Sequence, residues 1–144
     1  MSSHKILLVE DNVDDVELTM HAFRSHGQGT DVVVAHDGEE ALDYIYAQGS
    51  YADRKEGVPA LLLLDLKLPG ISGLDVLRRV RSVPETRRMP VVILTTSDDE
   101  GDIITGYDLG ANSYIRKPVE FGSFTRVVEQ LGLYWLMINT PAPH

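Results

Sequence analysis

Short apolar runs recur along this chain, each followed by a longer stretch with helical periodicity, and no other feature restricts its architecture as tightly. The runs lie at residues 5–9, 32–35, 60–64, 91–94 and 113–116, and the helical stretches at 13–25, 39–48, 74–83, 99–109 and 120–136. Because the runs lack polar alternation, both faces of the sheet they build must be covered, as in a parallel sheet with helices on either side. The expectation is an α/β, doubly wound parallel sheet of five βα units in a single domain spanning residues 1–144.

The punctuation agrees with this pattern. Asp11 or Asn12 is placed to cap the first helix, Asp37 the second, Ser72 the third and Ser97 or Asp98 the fourth. Gly27, Gly110 and Gly132 fall where left-handed C-terminal turns are expected, although apolar residues continue past Gly132 to Ile138. Pro59 and Pro90 mark strand entry, and residues 49–57 read as a solvated loop. Val16, Met20 and Phe23 form a helical stripe expected in the core, while His4, His21, His26, His36 and His144 lack ligand-like pairing and read as surface residues.

At 144 residues, with 43% hydrophobic and 24% charged, the chain is long enough to hold a core without metal or disulfide. Thirteen basic against twenty-two acidic residues give a formal charge of −9, which repels nucleic acid. The absence of cysteine excludes disulfides, thiolate metal sites and a thiol nucleophile. Residues 1–5 run straight into the apolar stretch of Ile6, Leu7, Leu8 and Val9, too short for a signal peptide or a membrane span, so a cytoplasmic location without a membrane partner is expected.

In an open parallel sheet, ligands sit beyond the carboxyl ends of the strands. The first strand delivers Glu10 and Asp11 there, the third Asp65, the fourth Thr95, Thr96 and Ser97, and the fifth Lys117 and Pro118. In strand order 2-1-3-4-5 these converge. Crowded carboxylates call for a hard cation, and Mg²⁺ takes one or two carboxylates, a carbonyl and waters. Asp11 and Asp65 read as direct ligands, the Lys67 carbonyl as a third oxygen, and Glu10 as acting through water. Asp65 can then act as a nucleophile toward a phosphoryl group, with Lys117 and Thr95 stabilising the transferred oxygens.

Taken singly, each residue has a plainer explanation. Asp11 caps a helix, Asp65 belongs to a turn, Lys117 lies on the surface, and Thr95 bonds to backbone. Their occurrence together at one sheet edge favours the site. The acidic residues Asp98, Asp99 and Glu100 read as the solvated first turn of a helix.

Four blocks of this sequence resemble the signature blocks of the response-regulator receiver domain: residues 7–12 (LLVEDN), 63–70 (LLDLKLPG), 90–95 (PVVILT) and 110–118 (GANSYIRKP). The Thr95-Thr96-Ser97-Asp98 stretch, the loop around Tyr51 and the ending at residues 131–136 further resemble stand-alone receivers that partner phytochrome-type histidine kinases. The resemblance implies a flavodoxin-like (βα)5 fold and a two-component role, in which Asp65 accepts a phosphoryl group from a kinase phosphohistidine. It implies Mg²⁺, with Mn²⁺ as an alternative, held by Glu10, Asp11, Asp65 and the Lys67 carbonyl. It further implies a Thr95–Tyr114 switch and a cis bond between Lys117 and Pro118. Receivers commonly carry Asn or Met where this chain has Lys67, so Lys67, with Thr96 and Ser97, is expected to tune the lifetime of the phosphoryl group. The chain is thus expected to act as a signalling phosphoacceptor that promotes its own phosphorylation and dephosphorylation.

Two other chemistries fit less well. An aspartate-based phosphatase needs an acid two residues after its nucleophile, where this chain has Lys67, and a flavodoxin-like carrier needs a phosphate-binding first loop, where this chain has Glu10, Asp11, Asp14 and Asp15. After the receiver, residues 133–144 are expected to be an extension without an output domain. Phe124, Val127, Val128 and Leu131 have the spacing to dock a fifth helix on the sheet, and six apolar residues follow from Leu133 to Ile138. A homodimer built on the last helix and strand is therefore expected, through Phe124, Val128, Tyr134, Trp135 and Leu136.

Overall fold

A computed structural model describes residues 5–25, 31–55, 57–117 and 120–143. The five expected strands form as β1 (Ile6–Val9), β2 (Val32–Ala35), β3 (Leu61–Leu64), β4 (Val91–Thr95) and β5 (Ser113–Arg116), all parallel in the order β2-β1-β3-β4-β5. Between and after them lie α1 (Val13–Ser25), α2 (Gly38–Ile45), α3 (Gly73–Ser82), α4 (Glu100–Asp108) and α5 (Phe121–Gly132). This is the flavodoxin-like topology. Among the described residues no helix is long and apolar enough to cross a membrane.

Alternate residues of the central strands feed two separate cores, as the period of a strand requires. Leu7, Val9, Leu62, Leu64, Val91 and Ile93 pack with Ala41, Tyr44 and Ile45 of α2 and Val76, Leu77 and Val80 of α3. Ile6, Leu8, Leu61, Leu63, Val92 and Leu94 face the other way, onto Ala22 and Phe23 of α1 and Phe124, Val128 and Leu131 of α5. The four leucines of β3 are completely buried, which accounts for the unbroken apolar run in the sequence.

Several local expectations are refined. Asn12, Asp37 and Ser72 cap their helices through Asp15, Glu40 and Asp75 N–H groups, but α4 is capped by Asp99, the residue after Asp98, rather than by Ser97 or Asp98. Ser97 lies ahead of that cap, its hydroxyl donating to Asp102 and accepting the Asp99 N–H. On α1, Val16 and Phe23 join the core as expected, whereas Met20 is only half-buried and Thr19 and Ala22 are buried instead. The loop after α2 is tied down: it contains a single 3-10 turn (Gly49–Tyr51), and the Arg54 guanidinium donates to the carbonyls of Tyr44, Ile45 and Gly57. Gly110 adopts φ 103° after α4, as its left-handed turn requires, while Gly132 stays right-handed at φ −60°. The chain therefore does not turn there but widens into a π-helical segment, Leu133–Ile138. Gly27, His4, His26 and His144 lie outside the described residues.

The same geometry corrects the expected dimer contacts. Phe124 and Val128 are buried against their own sheet, so they serve the monomer core and present no surface to a second copy. Trp135 and Leu136 are half-buried and also pack on that core, whereas Leu133, Tyr134 and Ile138 are exposed.

Candidate functional site

Strand register brings the candidate residues to one level. Val9 is paired with Leu64, so Glu10 and Asp65 leave the sheet side by side, while β4 runs on to Thr95 opposite Arg116. Backbone bonds extend the pairing past the strand ends: the Asp65 N–H donates to Val9 O at 3.1 Å and the Lys117 N–H to Thr95 O at 2.6 Å. Glu10, Asp65, Thr95 and Lys117 are buried, and Asp11 is exposed at the mouth. Gly73, the first residue of α3, lies so close that a Cβ there would collide with the Asp65 carbonyl oxygen.

Asp65 is the hub. Its Oδ1 accepts the Thr95 hydroxyl at 2.8 Å and the Lys67 N–H at 3.2 Å, and its Oδ2 accepts the Lys117 ammonium at 3.0 Å. Lys117 Nζ also donates to Glu10 and, at 2.9 Å, to Asp15 on the first turn of α1. Burial alone would push the Asp65 carboxyl up, but the Lys117 charge and the hydrogen bonds from Thr95, Glu10 and Lys117 outweigh it and hold it below the usual range. Glu10 goes the other way: burial, with the Asp65 charge beside it, raises it to about 7 despite its bond to Lys117. Burial disfavours the Lys117 ammonium, yet its carboxylate partners raise its pKa and keep it charged.

Carboxylate oxygens of Glu10, Asp11 and Asp65 lie within 4.8 Å of one another, a hard-oxygen donor set that fits a divalent cation such as Mg²⁺ or Mn²⁺. Around the other side of Asp65, Thr95 leads into a connected chain. The Ser97 N–H reaches the Thr95 hydroxyl at 3.4 Å, the Ser97 hydroxyl donates to Asp102 on α4 at 2.6 Å, and the Tyr114 hydroxyl donates to the Ser97 carbonyl at 2.9 Å. Of the three residues expected to tune the lifetime of the phosphoryl group, Lys67 and Thr96 are exposed at the rim of the site, but Ser97 is buried beneath it. The bond from Lys117 to Pro118 lies outside the described residues, because Pro118 does.

From the sequence, Asp15 reads only as one of the charges of the first loop. Its place in the first turn of the helix that leaves β1 is the sequence signal that sets it near the strand end. The role of Ser97 as a bridge to α4 had no comparable signal, because Asp102 reaches it only once the β4–α4 loop has turned.

A buried aspartate held by a lysine and a threonine, beside an acidic cation pocket at the carboxyl edge of a 2-1-3-4-5 sheet, defines a receiver domain of the two-component type. The family model for the response regulator receiver domain matches residues 6–129, and the chain belongs to that family. Among its relatives, the response regulator Rcp1 of Synechocystis sp. is 34% identical over 95% of this chain and 92% of its own length. The Mn²⁺-bound form of Rcp1 superposes with a TM-score of 0.89 at 33% identity, covering 96% of this chain and 99% of that one. The phosphorylated cyanobacterial phytochrome response regulator RcpA gives 0.91 at 39% identity, over 96% and 98% of the two chains. The bacteriophytochrome response regulator AtBRR is 48% identical over 94% and 97%, with a TM-score of 0.75.

Proposed function

We propose that Asp65 accepts the phosphoryl group of a phosphohistidine on a sensor histidine kinase. An Asp65 carboxylate oxygen bonds to phosphorus as the P–N bond breaks, and the departing imidazole takes a proton from solvent. Mg²⁺, or Mn²⁺ in its place, would be held by Glu10, Asp11, Asp65 and the Lys67 carbonyl, where it supplies positive charge to the transferring oxygens. Lys117 contributes a second charge and Thr95 a hydroxyl donor. The same groups promote loss of the phosphoryl group, and Lys67, Thr96 and Ser97 set how long it stays. Thr95 leaving Asp65 for the phosphoryl oxygen, with Tyr114 turning inward, forms the switch.

The observation that supports this reading best is the hub itself: Thr95 and Lys117 approach different oxygens of one buried carboxylate. The likeness to RcpA, Rcp1 and AtBRR supports a phytochrome-type kinase as the partner and a cytoplasmic role. The exposed Leu133, Tyr134 and Ile138 support a homodimer formed through the segment after α5. Incubation with acetyl phosphate and Mg²⁺ should add one phosphoryl group by intact mass, and Asp65→Asn should add none. An Asp65→Asn protein that labels at the parent rate would refute the assignment.

A further inference from the structure

An acid in the first turn of a helix is ordinarily explained by the helix dipole, and Asp14 is such a residue: it is exposed. Asp15 beside it is built in differently. Its N–H donates to the capping Asn12 side chain at 3.0 Å, and its carbonyl accepts the hydroxyl of buried Thr19 at 2.7 Å, so its backbone is fixed from both sides. Its half-buried carboxylate accepts Lys117 Nζ at 2.9 Å, 102 residues away in sequence.

We infer that Asp15 is a positioning residue for phosphoryl transfer, holding the Lys117 ammonium at the site independently of the groups that take part in the chemistry. The inference rests on the roles proposed above for Asp65 and Lys117. An ammonium has three donors, and Lys117 directs them at Glu10, Asp15 and Asp65. Glu10 and Asp65 belong to the carboxylate trio that fits a cation, and Asp15 does not. When the cation and then the phosphoryl group engage Glu10 and Asp65, the bond to Asp15 is the one left unchanged. It keeps one proton of Nζ committed and leaves the others aimed at the phosphoryl oxygens, so the charge is in place before transfer begins. Without Asp15, the ammonium settles between Glu10 and Asp65 and competes more strongly with the cation there.

The test compares Asp15→Ala and Asp15→Asn with Asp14→Ala, which removes a neighbouring charge that has no part in holding Lys117. Phosphoryl uptake from acetyl phosphate is followed at saturating Mg²⁺, and the Lys117 ammonium resonance is followed by NMR as a signature that a merely structural role would not move. Asp15→Ala should slow uptake by at least about fivefold and shift that resonance, Asp15→Asn should do both to a smaller degree, and Asp14→Ala should leave both within about twofold of the parent behaviour. If the parent labels and the Asp15 variants match Asp14→Ala in rate and resonance, the positioning role is refuted while the phosphoacceptor reading stands. A parent that never labels refutes both.

Discussion

Lys117 and Asp65 are 52 residues apart in sequence, yet the ammonium lies 3.0 Å from the Asp65 Oδ2 with both groups buried. Their pairing offsets part of the repulsion among the carboxylates, a task that the sequence had suggested for a cation alone. In the apo protein the lysine carries that load.

Lys117→Met should therefore have two effects of opposite sign. Removing the ammonium leaves Glu10, Asp15 and Asp65 unpaired, and apo stability should fall by about 3 to 5 kcal/mol. The stabilisation gained from millimolar Mg²⁺ should grow, because no internal cation competes for the site. Urea titrations with EDTA and with Mg²⁺ measure both. A variant as stable as the parent in EDTA would contradict the pairing.

Mg²⁺ affinity should depend on pH near neutrality. The Glu10 carboxyl, raised to about 7 by burial, is largely protonated in the apo site below that pH. A cation favours its ionised form, so binding expels the proton, and affinity should fall as pH drops below about 7 and level off above it. The limiting slope is about tenfold per pH unit for one proton. Calorimetry between pH 6 and 8 reads it, and Glu10→Gln should flatten the profile.

Gly73→Ala tests how closely α3 is seated against the site. The added methyl meets the Asp65 carbonyl, part of the backbone, which has little room to yield. Stability should fall by about 1 to 3 kcal/mol, and phosphoryl uptake should slow because the Asp65 backbone is displaced. An unchanged melting temperature and an unchanged rate would show that α3 can retreat freely.

The two classes of apolar residue at the C-terminal end should separate. Tyr134 is 47% and Leu133 48% exposed, whereas Phe124 is 3% exposed within the core. Tyr134→Ser with Leu133→Ser should convert a dimer to a monomer in light scattering with little loss of monomer stability. Phe124→Ala should cost about 3 to 5 kcal/mol of stability. A full-length chain that is monomeric at micromolar concentration would argue against the dimer.

Much of this molecule is written in short-range pattern. Three strands or helices, 13–25, 32–35 and 113–116, have the bounds that periodicity gives them, because apolar runs and caps act over a few residues. The sheet edge and its acids are equally legible, since Glu10, Asp65 and Lys117 each follow directly on a strand and Thr95 ends one. What tertiary structure alone decided is which partners those side chains choose. Lys117 reaches Asp15 on α1, Ser97 is drawn under the rim by Asp102, and Trp135 and Leu136 fold onto the α1/α5 core. Each depends on the angle at which one element meets another, and that angle is set by packing across the whole sheet, for which no local stretch of sequence carries the signal.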